Sequence, residues 1–136
     1  VPSRGSKERK NEDKIKFQDE VANLLPKIIT KNDQTIIAGD FNVVDRDHIP
    51  KHSVFGEWEY KFYESFLKND LNDAYRLLHP YTHDHSWFGR SGRGYRFDNI
   101  FVSEEIKKKL ISCDYIHKPR IDGLSDHSAM LIKLTA

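Results

Sequence analysis

The sequence predicts an α/β fold in which helices flank a mixed sheet. Two segments with apolar residues at helical spacing, one short β-branched run and several alternating segments between turn residues carry that prediction. The 136 residues suit one domain, and neither an internal repeat nor a low-complexity linker divides them.

Phe17, Val21, Leu24, Leu25 and Ile28 recur at helical spacing and predict an amphipathic helix over roughly residues 11–25. Pro26 is expected to end or kink it, because proline has no amide hydrogen and crowds the preceding turn. Thr35-Ile36-Ile37-Ala38-Gly39 reads as a short buried strand. Trp58, Phe62, Tyr63, Phe66 and Leu67 predict a second helix over about residues 57–68. Asn72 or Asp73 is placed to cap a short helix through Leu78, stopped by Pro80. Ser86-Trp87-Phe88 and Tyr95 to Val102 read as a strand pair across the Gly89–Gly94 turn. Ser103 stands where an N-cap would, followed by Glu104 and Glu105 and then by lysines, the order that a helix dipole favours. Strands at about 112–118 and 128–134 complete the set.

Hydrophobic residues form 38% of the chain and charged residues 32%, yet the 12% aromatic content argues against disorder. One cysteine rules out an internal disulfide framework and a cysteine-based zinc cluster. The chain opens on Val1 with no signal peptide, and no apolar stretch reaches bilayer-spanning length. A cytoplasmic location without a membrane partner is the expectation.

The formal net charge is only +1, so the distribution matters more than the total. Residues 1–16 carry +3, residues 33–85 carry −5, residues 86–96 carry +3 and residues 107–120 carry +4. Such runs are either solvated surface or basic patches beside an acidic site.

Three segments carry chemistry. Gly39-Asp40-Phe41-Asn42 stands where the buried strand runs into a polar loop, the place where α/β sheets bind ligands. The Asp40 carboxylate can deprotonate a water and the Asn42 amide can donate to an oxyanion; an Asx turn closing the strand is the plainer alternative. Ser125-Asp126-His127 precedes the last strand, pairing a hard oxygen ligand with a phosphate donor, or else a turn-capping Asp with a surface His. In Arg96-Phe97-Asp98-Asn99-Ile100-Phe101-Val102 the alternation puts Arg96, Asp98 and Ile100 on one face. A charge there needs a partner, which a histidine from a neighbouring strand would supply, unless the strand is a solvated edge.

The order of these motifs resembles the endonuclease/exonuclease/phosphatase superfamily. The run Leu71-Asn72-Asp73-Ala74-Tyr75-Arg76-Leu77-Leu78-His79-Pro80, the Ser86-Trp87 pair and Arg96 two residues before Asp98 are most similar to its exonuclease III branch. The resemblance implies the C-terminal half of a four-layered αββα sandwich, with a mixed, largely antiparallel sheet and the N-terminal half absent over residues 1–136. It implies a magnesium-dependent (Mg2+ or Mn2+) phosphodiester hydrolase acting on DNA, of the exonuclease III or abasic endonuclease type.

Carried onto this sequence, Asp40 would orient or deprotonate the attacking water, and Asn42 would hold that water or the phosphate. Asp98 would fix His127 against a phosphate oxygen, and Asp126 would bind the metal. Trp87 would line the pocket or stack near the cut. Arg96, with the 90–96 turn, would contact the phosphate backbone or else serve a structural pairing. His127 as the base, with Asp40 only orienting, remains an alternative. A phosphoesterase on lipid or inositol phosphates and a non-enzymatic binding module are the other two readings of the whole.

One departure bears on all of these roles. Val1-Pro2-Ser3 resembles the residues directly after the family's catalytic Tyr, so the family's metal-binding Glu has no counterpart here. The expectation is a chain inactive or nearly so by itself, with an apolar sheet face that needs cover from the missing half or by self-association. His83-Asp84-His85 reads as a loop with surface polar residues, Cys113 as a buried small hydrophobe and Asp45, Arg46 and Asp47 as loop bracing.

Overall fold

The computed structural model describes residues 1–3 and 11–136. Arg4, Lys7, Arg9 and Lys10 of the basic N-terminal segment lie outside the described residues.

The elements follow in the order α1 (Glu12–Ile28), β1 (Ile36–Asp40), α2 (Glu57–Lys68), β2 (Leu71–Asp73), α3 (Ala74–Leu78), β3 (Trp87–Phe88), β4 (Gly94–Tyr95), β5 (Asp98–Ser103), α4 (Glu104–Lys107), β6 (Leu110–Ile116), α5 (Lys118–Ile121) and β7 (Ala129–Leu134). Strand β5 is the centre of a sheet ordered β1-β5-β2, and β6 pairs β7 in a separate hairpin. Every pairing among the described strands is antiparallel.

Period-two alternation along β5 builds two cores. Phe101 faces a cluster with Leu25, Phe41, Val43, Phe62, Phe66 and Leu71, so α1 and α2 cover that side. Ile100 and Val102 face the opposite side, against Ala74, Tyr75, Ile106 and Cys113, with Met130 and Ile132 of β7 packed on them. Helices, one sheet and a second smaller sheet therefore stack as layers of the αββα sandwich. Each large apolar side chain fully buried in this way contributes about 1.5–3 kcal/mol. On the face that Ile100 and Val102 share with β1, Ile36 is 43% exposed and Ala38 is also exposed. An apolar strip beside the site is thus left without cover among the described residues.

Four sequence expectations change in detail. Helix α1 runs through Pro26 to Ile28, because the missing amide falls in the last turn and Ile29 N–H closes onto Leu25 O at 2.9 Å. Its buried positions include Lys14, Gln18 and Leu25, whereas Phe17, Leu24 and Ile28 are exposed. Lys14 Nζ donates to Glu59 Oε1 of α2 and to Asn42 O, both at 2.7 Å, and this buried ion pair decides which face turns inward. Residues 71–73 form strand β2 before the short helix, with Asp73 as its N-cap accepting from Arg76 N at 3.0 Å. The long strand expected over 95–102 is two strands, β4 and β5. Ser86 Oγ accepts from the N–H groups of both Phe97 and Asp98 at 3.1 Å, so a side chain takes the ladder bonds where the chain changes sheets.

Candidate active site

The register of β1 against β5 sets Asp40 directly opposite Asp98, so two carboxylates from sequence-distant strands meet at one sheet end. His127 arrives from the loop before β7 and makes an isolated antiparallel bridge with Trp87 of β3. Four segments thus converge on one place.

Beyond Asp40 the chain folds back at once. Asn42 has φ +49°, a left-handed conformation that asparagine tolerates better than most residues. Its N–H donates to Asp40 Oδ1 at 2.8 Å, closing an Asx turn, and its Nδ2 donates to Asp40 Oδ2 at 2.9 Å and to Val1 O at 2.8 Å. Both amide hydrogens are therefore engaged. In this geometry Asn42 orients the Asp40 carboxylate. Lys14, bonded to Asn42 O, holds the same turn from behind.

His127 Nδ1 lies 2.7 Å from Asp98 Oδ2, and its Nε2 lies 4.0 Å from Asp40 Oδ2. Partial burial pulls the His127 pKa down, but the Asp98 hydrogen bond and the charges of Asp98, Asp40 and Asp126 outweigh it and leave the pKa raised. Burial in turn raises the Asp40 carboxyl, with Asp98 adding to it, against the Asn42 bond and the His127 charge. The 4.0 Å gap exceeds a hydrogen bond and suits a bridging oxygen. These groups close one end of a cavity of about 380 Å³ whose apolar wall is Val54, Phe55, Trp87, Tyr95 and Phe97. Trp87 and Phe97 stack with ring centres 5.6 Å apart, leaving Trp87 half-buried at the cavity.

Arg96 is elsewhere, and this corrects the phosphate contact expected of it. Its side chain is 0% exposed, with Nη2 2.9 Å from Asp45 Oδ2 and 2.6 Å from Asp73 Oδ2. Tyr63 OH also bonds Asp73, so β2, α2, the 41–56 loop and the entry to β5 meet at one guanidinium. Burial would raise the Asp45 carboxyl, but the Arg96 charge and hydrogen bond, with Arg76, hold it below the usual range. Arg90 and Arg93 of the β3–β4 turn are exposed and remain available to an anion.

Asp126 is exposed, and its Oδ2 meets Trp87 Nε1 at 3.3 Å. Magnesium and manganese prefer near-octahedral oxygen sites. Among the described residues no group of three or more His, Cys, Asp and Glu side chains is set to hold a metal ion. The donors present do not by themselves fit such an ion.

Other singled-out residues find ordinary places. His83 is exposed, while Asp84 and His85 bond His117 and Ile49 O, so the three form no clip. Cys113 is fully buried, and burial pushes its thiol up to about 12. Sequence reasoning did not find Lys14 or Phe55, which position or line the site, and named Ser86 only beside Trp87 and not as a bond acceptor. No spacing signal marks Lys14 or the Ser86 hydroxyl, because Glu59 is 45 residues from the one and Phe97 is 11 from the other.

Comparison with models of protein families gives no match, and comparison with curated proteins gives none either. Solved structures do match. A 3′ phosphatase from Neisseria bound to a product DNA hairpin superposes with TM-score 0.82 at 20% identity, over 94% of this chain and 55% of that one. An AP endonuclease from Archaeoglobus fulgidus matches with TM-score 0.82 at 22% identity, over 94% of this chain and 56% of that one. An AP endonuclease from Leishmania major matches with TM-score 0.70 at 23% identity, over 88% of this chain and 43% of that one. The chain therefore has the fold of these solved structures and spans about half their length.

Proposed function

We propose that this chain carries the acid–base side chains of a phosphodiester hydrolase acting on DNA, of the exonuclease III or abasic endonuclease type. The observation that carries the proposal is the His127–Asp98 pair, bonded at 2.7 Å and facing Asp40 across 4.0 Å. His127, held toward its protonated form, donates from Nε2 to a non-bridging phosphate oxygen and stabilises the charge that develops there. Asp40 takes a proton from the attacking water, a task its raised pKa favours. The raised His127 pKa speaks against the reverse assignment, in which His127 is the base. Asn42 keeps the Asp40 carboxylate in plane with the gap, and Trp87 offers a stacking face to a nucleotide beside the cut.

A divalent ion, Mg2+ or Mn2+, supplies charge neutralisation at phosphate when bound. Among the described residues Asp126 is the cavity carboxylate most open to serve it. The uncovered strip of Ile36 and Ala38 supports the same reading: an N-terminal half, or failing that a second copy, packs there. The isolated chain is then inactive or nearly so.

The test measures cleavage of abasic duplex DNA and of inositol phosphates with Mg2+, for the chain alone and for a polypeptide that includes the complementary half. DNA cleavage only in the longer form, abolished by Asp40→Asn and His127→Gln, is the expected result. Preference for inositol phosphates, or cleavage that survives Asp40→Asn, overturns the proposal.

A further inference from the structure

Behind the His127–Asp98 pair lies a second polar chain, at the foot of the segment joining β6 to β7. His117 Nε2 is 3.0 Å from an Asp84 carboxylate oxygen, and His117 Nδ1 is 2.8 Å from Ser128 Oγ. Arg120 Nε donates to the same Oγ at 3.0 Å. Ser128 is buried, and its own N–H donates to Ser86 O at 2.8 Å.

Elementary hydrogen-bond chemistry gives each atom a role. A carboxylate only accepts, so His117 carries its hydrogen on Nε2 toward Asp84. A guanidinium only donates, so Arg120 occupies one lone pair of the Ser128 oxygen. The Ser128 hydroxyl hydrogen then has His117 Nδ1 as its acceptor. The hydrogens run one way, from Arg120 through Ser128 and His117 to Asp84, and no member of this chain is left unpaired.

The position of this network beside His127 gives it a task. On the N-terminal side of His127, residues 121–126 are all exposed, and two of the bonds that tie them, His127 N–H to Ser125 Oγ at 3.1 Å and Trp87 Nε1–H to Asp126 Oδ2 at 3.3 Å, run to exposed residues. On the C-terminal side Ser128 is anchored twice, by its side chain and by its backbone. With residue 128 fixed, the His127 backbone is restrained on its buried side, which narrows the ring positions from which Asp98 selects. We propose that the Arg120–Ser128–His117–Asp84 chain is a positioning device that holds the His127 ring against Asp98, with Ser128 and His117 as positioning residues for the reaction. The proposal rests on the reading of the His127 site given above, but its test needs no substrate.

The experiment is histidine side-chain NMR on the 136-residue chain at mildly alkaline pH, with Ser128→Ala, Ser128→Thr and His117→Gln beside the parent. In the parent, nitrogen shifts are expected to show His117 as the Nε2–H tautomer. Ser128→Ala is expected to speed solvent exchange of the His127 Nδ1–H by about fivefold, the weight of one net hydrogen bond. Ser128→Thr, which keeps the hydroxyl, restores the parent rate. His117→Gln keeps a donor to Asp84, and with its Nε2 at that carboxylate its amide oxygen does not occupy the Nδ1 position that accepts from Ser128, so it reproduces Ser128→Ala in direction. Backbone amides of β5 serve as the control and keep their rates. An unchanged His127 Nδ1–H in both disrupting variants, equal acceleration of the β5 amides, or no rescue by threonine overturns the proposal. Because the readout is the ring itself, a chain without nuclease activity still answers it, and a failed cleavage assay does not mimic a failed positioning device.

Discussion

Replacing Arg96 by methionine separates a structural role from a DNA contact. The guanidinium has no exposure and balances Asp45 and Asp73, whose side chains are 10% and 3% exposed. Methionine fills much of the volume but leaves Asp73 without its cation and Asp45 with only Arg76, at 3.6 Å. Breaking a buried ion pair from one side costs about 3–5 kcal/mol, because a charge remains buried and unpaired. Much of the stability of a domain of this size would go, given typical totals of about 5–15 kcal/mol.

Urea unfolding followed by tryptophan fluorescence measures the deficit, and its pH dependence supplies the signature. In the parent, Asp45 titrates below its unfolded value, so its contribution is present above about pH 3.9 and is lost on acidification below that. In Arg96→Met Arg76 is the main cation left to oppose burial at that carboxyl, so it titrates higher than in the parent. The deficit should therefore be greatest near neutral pH and shrink as the pH is lowered toward about 5. A deficit within about 1 kcal/mol, the range of an exposed ion pair, would refute the reasoning. So would unchanged stability accompanied by weakened DNA binding.

Three further outcomes are expected. Burial pushes His48 down to about 4 from 6.5, so native His48 is neutral and stability is complete above pH 6.5. Acidification from there toward pH 4 should remove up to roughly 3 kcal/mol, at 1.36 kcal/mol per pKa unit, and His48→Gln should flatten that slope in chemical denaturation. Because Asp98 raises His127, its contribution is present below pH 6.5 and lost as pH climbs through the folded value. Asp98→Asn should bring the His127 titration, followed by its ring-carbon proton in NMR, back down; an unmoved titration would remove Asp98 as the cause. Trp87→Ala should weaken binding of single-stranded or abasic DNA by about 1–3 kcal/mol in fluorescence anisotropy, with Trp87→Phe recovering part, whereas equal binding would deny a stacking role.

Local patterns were legible where local physics governs. The aromatic periodicity of residues 57–68 read as the helix that forms, because one dense apolar face leaves no competing register. A charged Asp98 on the face of Ile100 announced a missing partner, and the structure puts His127 there. Helix α1 misled because its apolar spacing was sound but a lysine took the buried face, through Glu59 at 45 residues' distance. The strand at 95–102 misled because alternation continues through Arg96 and Phe97 while His48 takes the Arg96 N–H and Ser86 takes those of Phe97 and Asp98.

By itself the sequence determined the α/β class, the long helices and main strands but not β2 or α5, and the short motifs around Asp40, Asp98 and His127, since these depend on residue type and spacing along the chain. Tertiary structure alone decided that Arg96 is a buried ion rather than a phosphate contact, that Asn42 serves Asp40, and that β1 leaves an apolar strip uncovered. Those outcomes hang on burial and on partners far away in the chain, and a side chain's charge or hydrogen bonds acquire their meaning only once the fold has chosen its surroundings.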